Sequence, residues 1–330
     1  MNKSLLIAIV ATLACGLSQV TFADDSSGTS QNSMKLDDAK DQKNKVPGDN
    51  DADQILTNNK LRAETGSKSR WSVATSLGYD GGSISRPFED IRPNIQNVNG
   101  QSPVSDIAGG VSLKFNMNEK DSLLLGETIR MVTPLSGGTP NGYRGQKLDN
   151  YNPSLNLQHI YKVGQLQSYY QVGPTIYTQS DYTNIGYLGN LGIYNVNAYD
   201  IGKSKVTVGL ETGASYNWFR TPQAYPEFKM SVEDTKDSSS DYTLFAFPYL
   251  EYAFNDKINF RTVAMFFQVE HTLTHDGDYT RWTKDKAMQS VGIGISVTRD
   301  IFLYPNVQFI PDELRGKQTN VSLSSNINIF

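Results

Sequence analysis

Residues 71–79 read WSVATSLGY, and this stretch decides the fold because its side chains alternate in character. Trp71, Val73, Leu77 and Tyr79 are large and mostly apolar, whereas the residues between them are small or polar. Successive side chains of an extended chain point to opposite faces. The stretch is therefore predicted to be a β-strand with one apolar and one polar face.

The same period of two recurs along the rest of the chain. Most of the stretches have about nine to thirteen residues, the length that a tilted strand needs to cross the apolar band of an outer membrane. We therefore predict an all-β fold, an antiparallel up-and-down transmembrane β-barrel of about 12 strands. The other predicted strands are 107–115, 123–132, 153–163, 166–178, 193–201, 206–218, 242–254, 258–269, 291–297, 301–309 and 321–329.

The connections between these strands alternate in length. Every second connection is short, as at 118–120, 202–204 and 255–257, and those between them are longer, as at 81–105 and 220–241. Membrane barrels sort their loops in this way, with short turns at one end and long loops at the other. A soluble sandwich has no reason to do so, and the loops therefore favour a membrane barrel.

Aromatic residues support the same interpretation, because they concentrate near the strand ends. Amphipathic rings prefer the headgroup level of a membrane, so two separate belts are expected. One belt lies near the short turns and the other near the long loops: Trp71, Phe115, Tyr161, Tyr252 and Phe260 in the first, and Tyr79, Tyr151, Tyr177, Tyr216, Trp218 and Tyr242 in the second.

Composition excludes several other classes of protein. The 330 residues are 38% hydrophobic and 19% charged, with a formal net charge of -4. After residue 23, no apolar run approaches the roughly 20 residues of a membrane-spanning helix. We expect no partner among the nucleic acids, because the chain has no strongly basic character.

The first 68 residues are predicted to lie outside the barrel. Residues 1–23 have a lysine, an apolar run and a small-residue site ending at Ala23, which is typical of a signal peptide. An acylated Cys15 is the lipoprotein alternative, and the rest of the chain has no other cysteine. Residues 24–68 contain no aromatic residue, so we predict a disordered periplasmic segment before a barrel over 69–330.

One part of this segment has helical character. Residues 53–64 contain Ile55, Leu56 and Leu61, with Asp53 as a candidate N-cap and Gly66 after the last turn. Two interpretations remain open: a helix that acts as a plug or docking site, and a transient helix in a linker.

These features together resemble the Gram-negative outer-membrane β-barrel class, which includes the porins. The resemblance covers residues 69–330 and implies a multi-pass barrel in the outer membrane, in contact with lipid and lipopolysaccharide. In that class a terminal aromatic residue helps the barrel-insertion machinery to recognise the last strand, and Phe330 matches it. Leu323, Ile327 and Ile329 have the opposite parity from Phe330, which departs from the usual pattern.

In each strand, the more polar of the two sets of alternate residues is assigned to the lumen. Strands near both chain ends then present small residues inward, whereas Phe245, Phe247, Tyr249, Met265 and Phe267 form a bulky opposite side. The lumen is therefore either an off-centre channel along the small residues or a filled interior. A barrel of 12 strands is intermediate between small barrels, whose interior is filled by side chains, and large barrels, which enclose an aqueous channel.

Five charged residues are predicted to line the lumen: Lys114, Glu127, Glu211, Glu251 and Arg261. A turn at 255–257 places Glu251 directly opposite Arg261. The group is either a weak polar filter for ions or a set of salt bridges that holds the wall. We expect no cofactor and no bound metal.

The expected function is that of a narrow passive channel for small solutes. The alternative is a structural or surface-interaction barrel with a filled lumen. A barrel-borne hydrolase is a third hypothesis, with His275, Asp276 and Asp278 as the acid–base candidates. Because Asp and Gly beside His275 more simply mark a turn, we expect no enzyme and assign no catalytic residue.

Overall fold

The computed structural model describes residues 55–93, 104–135, 148–178, 183, 186–220, 240–272, 281–284 and 287–329. Within these ranges, no helix has both the length and the apolar character needed to span a membrane. Most of the described residues belong to one antiparallel sheet of 14 strands.

The sheet closes into a barrel. β1 pairs with both β2 and β14, and β8 pairs with both β7 and β9. The barrel has 12 strands with one extra strand, so the predicted fold is confirmed. The strands are β1 (Trp71–Ser83), β2 (Asp106–Asn116), β3 (Asp121–Val132), β4 (Leu148–Val163), β5 (Leu166–Ile176), β6 (Tyr187–Asp200), β7 (Val206–Phe219), β8 (Ser240–Ala253), β9 (Ile258–Met265), β10 (Phe267–Thr272), β11 (Arg281–Lys284), β12 (Met288–Thr298), β13 (Ile301–Phe309) and β14 (Asn320–Ile329).

β9 and β10 form one barrel strand that is interrupted at Phe266. The pairing with β8 shifts there by one residue, from Tyr249 opposite Val263 to Ala246 opposite Phe267. A bulge of one residue moves the following side chains to the other face of a strand. Phe267 therefore lies on the outer face, and its predicted inward position is wrong. β11 pairs with β10 as the extra strand.

The outer face of the barrel is apolar. Leucines at mid-strand positions are largely exposed, among them Leu113, Leu125 and Leu191 at 46%, 58% and 47%. A soluble protein rarely exposes apolar patches of this extent. The arrangement is the one expected of a barrel whose surface faces lipid.

The two ends of the barrel differ as the loop lengths predict. The short turns follow β2, β4, β6, β8 and β12, and the longer connections lie at the opposite end. Gly164 and Gly202 lie in two of the short turns with φ of +61° and +57°, which glycine adopts at low cost. These ends are called the short-turn end and the long-loop end below.

A short helix, α1 (Asn59–Thr65), lies inside the barrel. Its first turn is capped by Asn58, whose Oδ1 accepts a hydrogen bond of 3.1 Å from the Leu61 amide, and Gly66 follows its last residue. Leu56 and Leu61 are buried against residues of the barrel wall such as Tyr169.

Residues 55–68 are thus not part of a solvated tail, because their few apolar side chains are buried against the lumen wall. Residues 1–54 lie outside the described part of the chain. Residues 55–69 are called the plug below.

Candidate functional site

Four of the five charged residues predicted in the lumen lie there and surround the plug. Lys114, Glu211, Glu251 and Arg261 each bond to the plug or to a residue that does. Glu251 on β8 is directly opposite Arg261 on β9, as the length of their connecting turn predicts. The structure thus brings these four residues together at the short-turn end.

Glu127 is the exception, and its predicted inward position is corrected. It is directly opposite Val111 of β2, is exposed, and shares a face of β3 with Leu123 and Leu125. Because side chains alternate along a strand, this parity places Glu127 on the outer face. The apolar residues of the same parity in β3, Leu123 and Leu125, are sufficient to predict this position from the sequence.

Arg261 is the centre of the charged cluster. Its side chain is 1% exposed, its Nη2 donates to Glu211 Oε1 at 2.6 Å, and its Nη1 donates to Glu251 Oε1. The guanidinium also lies over the ring of Tyr249 at 4.1 Å from the centroid. A buried guanidinium is tolerated only with such partners, because an uncompensated buried charge is strongly destabilising.

The plug completes this cluster with its own charged and polar side chains. Lys60 Nζ lies 3.2 Å from Glu211 Oε1 and also contacts Glu64. Asn58 Nδ2 donates to Glu251 Oε2 at 2.7 Å. The carboxylates of the wall are therefore shared between Arg261 and the plug.

The other end of α1 is held by donors from the wall. Asn328 Nδ2 donates to the Ala63 carbonyl at 2.8 Å, and Arg299 Nη1 donates to the Gly66 carbonyl at 2.9 Å. Lys114 Nζ donates to the Thr65 carbonyl. Cations and amides at this position satisfy the carbonyls that a helix leaves unpaired at its C-terminus.

Gln167 of β5 binds the chain just before the helix. Its Oε1 accepts hydrogen bonds from the amides of Thr57 and Asn58 at 2.6 and 2.8 Å, and its Nε2 donates to Thr57 Oγ1 at 2.7 Å. The plug is thus bonded to β2, β5, β7, β8 and β14 at the short-turn end of the lumen. These contacts join residues that are far apart in the sequence, so the alternation pattern of the strands does not predict them.

Towards the long-loop end, one side of the lumen is lined by small residues. Pairing of β14, β1 and β2 places Gly78 between Ser324 and Ala108, and Ser76 between Asn326 and Gly110. Ser76 and Ser324 are exposed although they face inward. Water therefore reaches the inner wall above the plug.

The bulky side of the lumen is made possible by glycines on β7. A Cβ on Gly209 would lie 2.1 Å from the Tyr249 ring, and one on Gly213 would lie 2.2 Å from the Phe245 ring. The rings of Tyr249 and Phe245 therefore pack directly over the two glycines of β7. A side chain at either glycine would force the ring to move.

The first long connection contacts the inner wall at the long-loop end. Arg92 forms an ion pair of 3.2 Å with Asp80 and donates to Gln308 at 3.1 Å. Arg130 and Asp106 form a second pair at 2.7 Å beside it. Part of this connection thus runs towards the lumen, and the two ion pairs lie at the long-loop end of the lumen.

Two histidines pair with carboxylates away from the lumen. His159 Nδ1 lies 2.7 Å from Asp121, and His271 Nδ1 lies 2.6 Å from Asp241. Each pair has two of the three groups of a hydrolytic triad. The hydrolase candidates His275, Asp276 and Asp278 lie outside the described residues. Within the described ranges, no group of three His, Cys, Asp or Glu residues could hold a metal ion.

A closed, even-stranded antiparallel barrel with an apolar outer face and a polar lumen defines the outer-membrane β-barrel class. The chain has this architecture. No protein-family model and no curated protein matches its sequence.

Several solved structures of outer-membrane barrels are similar to it. An outer membrane channel from Pseudomonas putida F1 has 9% identity and a TM-score of 0.48, over 80% of this chain and 97% of that one. The NanC porin has 11% identity and a TM-score of 0.40, over 78% and 98%. Outer membrane phospholipase A from Escherichia coli has 12% identity and a TM-score of 0.35, over 82% and 96%.

Proposed function

We propose that the chain is an outer-membrane barrel that acts as a narrow passive channel for small solutes, closed at its periplasmic end by the plug. The observation that carries this proposal is the contrast along one wall. Ser76 and Ser324 face inward and are exposed, whereas Asn328, further down the same wall, is buried under α1. A channel above a removable closure accounts for both the exposed serines and the buried Asn328.

The contacts of the plug support a closure that can open. Most of them are hydrogen bonds and ion pairs to Glu211, Glu251, Gln167 and Asn328, and four apolar side chains (Ile55, Leu56, Leu61 and Ala63) pack against the wall. Because the net stabilisation from hydrogen bonds and ion pairs is modest, water can replace them at moderate cost. A permanently filled barrel would be expected to use more apolar burial instead.

The test is to delete residues 55–66 and to measure solute flux and ion conductance. We expect proteoliposomes with the full chain to swell slowly in a small neutral solute, and those with the deletion to swell rapidly. Lys203→Gln, at an exposed position of the short turn after β6, is the control and should behave as the full chain does.

Two outcomes would contradict the proposal. If the deletion leaves the barrel folded and still impermeable, the lumen is filled and the structural alternative is favoured. If the full chain and the deletion are equally permeable, the plug does not close the channel.

A further inference from the structure

The part of the lumen between the plug and the Asp80–Asp106 level, called the chamber below, has an uncharged hydrogen-bonding side. On the inner faces of β14, β1 and β2, the residues between Ser72 and Asp80 and those paired with them are alanine, glycine, serine or asparagine. Ser76 and Ser324 present exposed hydroxyl groups there. This side offers hydrogen bonds without a fixed charge.

The opposite side of the chamber carries a run of aromatic rings. The ring centroids of Tyr169 and Tyr194 are 6.0 Å apart, and those of Tyr194 and Phe245 are 6.1 Å apart. Phe245 and Phe247 continue the run, stacked at 4.7 Å with 26° between their planes. Tyr194 and Phe247 pack against the buried cluster that contains Leu56 and Leu61, and Tyr194 donates to Glu211. Phe245 and Phe247 are partly exposed, and these two rings continue the run away from the plug.

Side-chain amides lie next to these rings. Gln171 of β5 is directly opposite Tyr194 and is partly exposed, and Gln158 of β4 is directly opposite Gln171. Gln158 is 1% exposed and lines a small cavity with Thr65 and Gly66 of the plug, so Gln171 is the amide that faces the chamber.

Charges lie at both ends of the chamber. Below it are Glu211 and Arg261 with the plug, and above it Asp80 pairs with Arg92. Glu270 of β10 also lies on the inner face, opposite Thr243 and two residues beyond the partner of Phe245. An anion that enters this space loses hydration and meets a carboxylate there. The chamber therefore disfavours anions and accepts neutral polar solutes.

We infer that the chamber binds small saccharides. A pyranose ring has an apolar face of C–H groups, which packs on aromatic rings, and an edge of hydroxyl groups, which needs donors and acceptors. The rings of Phe245 and Phe247 supply the first, and Ser76, Ser324 and Gln171 supply the second. Sites of this composition, mostly aromatic with a few placed polar groups, are typical of small-molecule recognition. This inference names the solute class of the proposed channel and so rests on that function.

The test measures binding separately from transport. Maltose is the probe, and its contact with the protein is followed by saturation-transfer NMR in a detergent without a sugar head group. The full chain and the chain lacking residues 55–66 are both measured, with sodium glutamate as the charged comparison. Phe245→Leu combined with Phe247→Leu keeps apolar volume and removes the flat faces. Tyr252→Leu removes an exposed ring from the outer face and is the matched control.

We expect maltose to bind and glutamate not to bind. The double leucine variant should bind maltose about fivefold more weakly or worse, in line with the contribution of aromatic contacts. The Tyr252→Leu variant should be unchanged. Circular dichroism and the heat-dependent gel mobility of each variant establish that its barrel is folded.

The inference is overturned if maltose fails to bind to either chain, if glutamate binds as well, or if the folded double variant binds normally. Solute flux after plug deletion without maltose binding would contradict the saccharide site alone. Maltose binding in a barrel that stays impermeable after plug deletion would contradict the channel alone.

Discussion

Arg261 joins the two carboxylates of the wall that also bond to the plug. These are Glu211 and Glu251, which share its guanidinium. Removing one member of a buried ion pair leaves its partner charged and unpaired, which costs more than removing both. The cluster therefore couples the stability of the barrel wall to the position of the plug.

Arg261→Gln is expected to lower the free energy of unfolding by about 3–5 kcal/mol, because it leaves the buried Glu251 carboxylate without its cationic partner, whereas Glu211 keeps Lys60. Urea unfolding of the protein in lipid vesicles, followed by tryptophan fluorescence, measures the change. The double variant Arg261→Gln with Glu251→Gln should recover a large part of the loss. Equal stability of the native chain and the Arg261→Gln variant would show that the cluster is solvated.

Glu127 provides a separate test of residue placement. A carboxylate on a lipid-facing surface is destabilising, though less than the roughly 2–4 kcal/mol of a midplane lysine or arginine. Glu127→Leu is therefore expected to stabilise the barrel by about 1 kcal/mol in the same unfolding experiment. Glu211→Leu is the inward counterpart and should destabilise it. A loss of stability in Glu127→Leu comparable to that in Glu211→Leu would place Glu127 in the lumen after all.

The strands and the plug differ in how far their sequence predicts them. A period of two is a local property, so the strands follow from stretches such as 71–79, and the parity of β8 and β9 correctly places Glu251 beside Arg261. No local sequence pattern marks the bulge at Phe266. The bulge turns the Phe267 side chain from the inner to the outer face. The helix has a local signature in its apolar residues, but its burial in the lumen depends on distant partners such as Asn328.

Substitution of Leu61 tests whether α1 stays bound inside the lumen. It is fully buried between the helix and the wall, and Leu61→Asp would place a charge there. We expect this variant to release the plug while the barrel remains folded. Trypsin should then cleave after Lys60 or Arg62 in the variant and not in the native chain. Leu61→Met is the conservative control, and resistance of Leu61→Asp to trypsin would show that α1 stays in place.

At the scale of the whole molecule, the apolar surface, the two kinds of loop and the polar lumen together describe a barrel made for a membrane. The two ends of the lumen differ: a packed helix lies at the short-turn end, and charged pairs such as Arg92–Asp80 lie towards the other. For the proposed channel, solute entry is therefore expected from the long-loop end, with exit through the end that the plug occupies.

The orientation of the barrel in the membrane follows from its loops. Cysteine placed at Lys317, in a connection at the long-loop end, is expected to react with a membrane-impermeant maleimide on intact cells. Cysteine at Asn118, in a short turn, should react only after the outer membrane is permeabilised. The opposite pattern would reverse the orientation and with it the direction in which the plug faces.

The most direct test of the closed channel is to lock the plug and then release it. Thr57→Cys and Gln167→Cys, at positions whose side chains are hydrogen-bonded at 2.7 Å, are joined by a reducible bis-methanethiosulfonate linker, with Cys15 replaced by serine. Flux of a neutral solute into proteoliposomes is measured with the linker intact and after its reduction, beside the chain lacking residues 55–66. We predict no flux with the linker intact, measurable flux after reduction, and the highest flux in the deletion. Flux through the locked chain equal to that through the deletion would contradict the account.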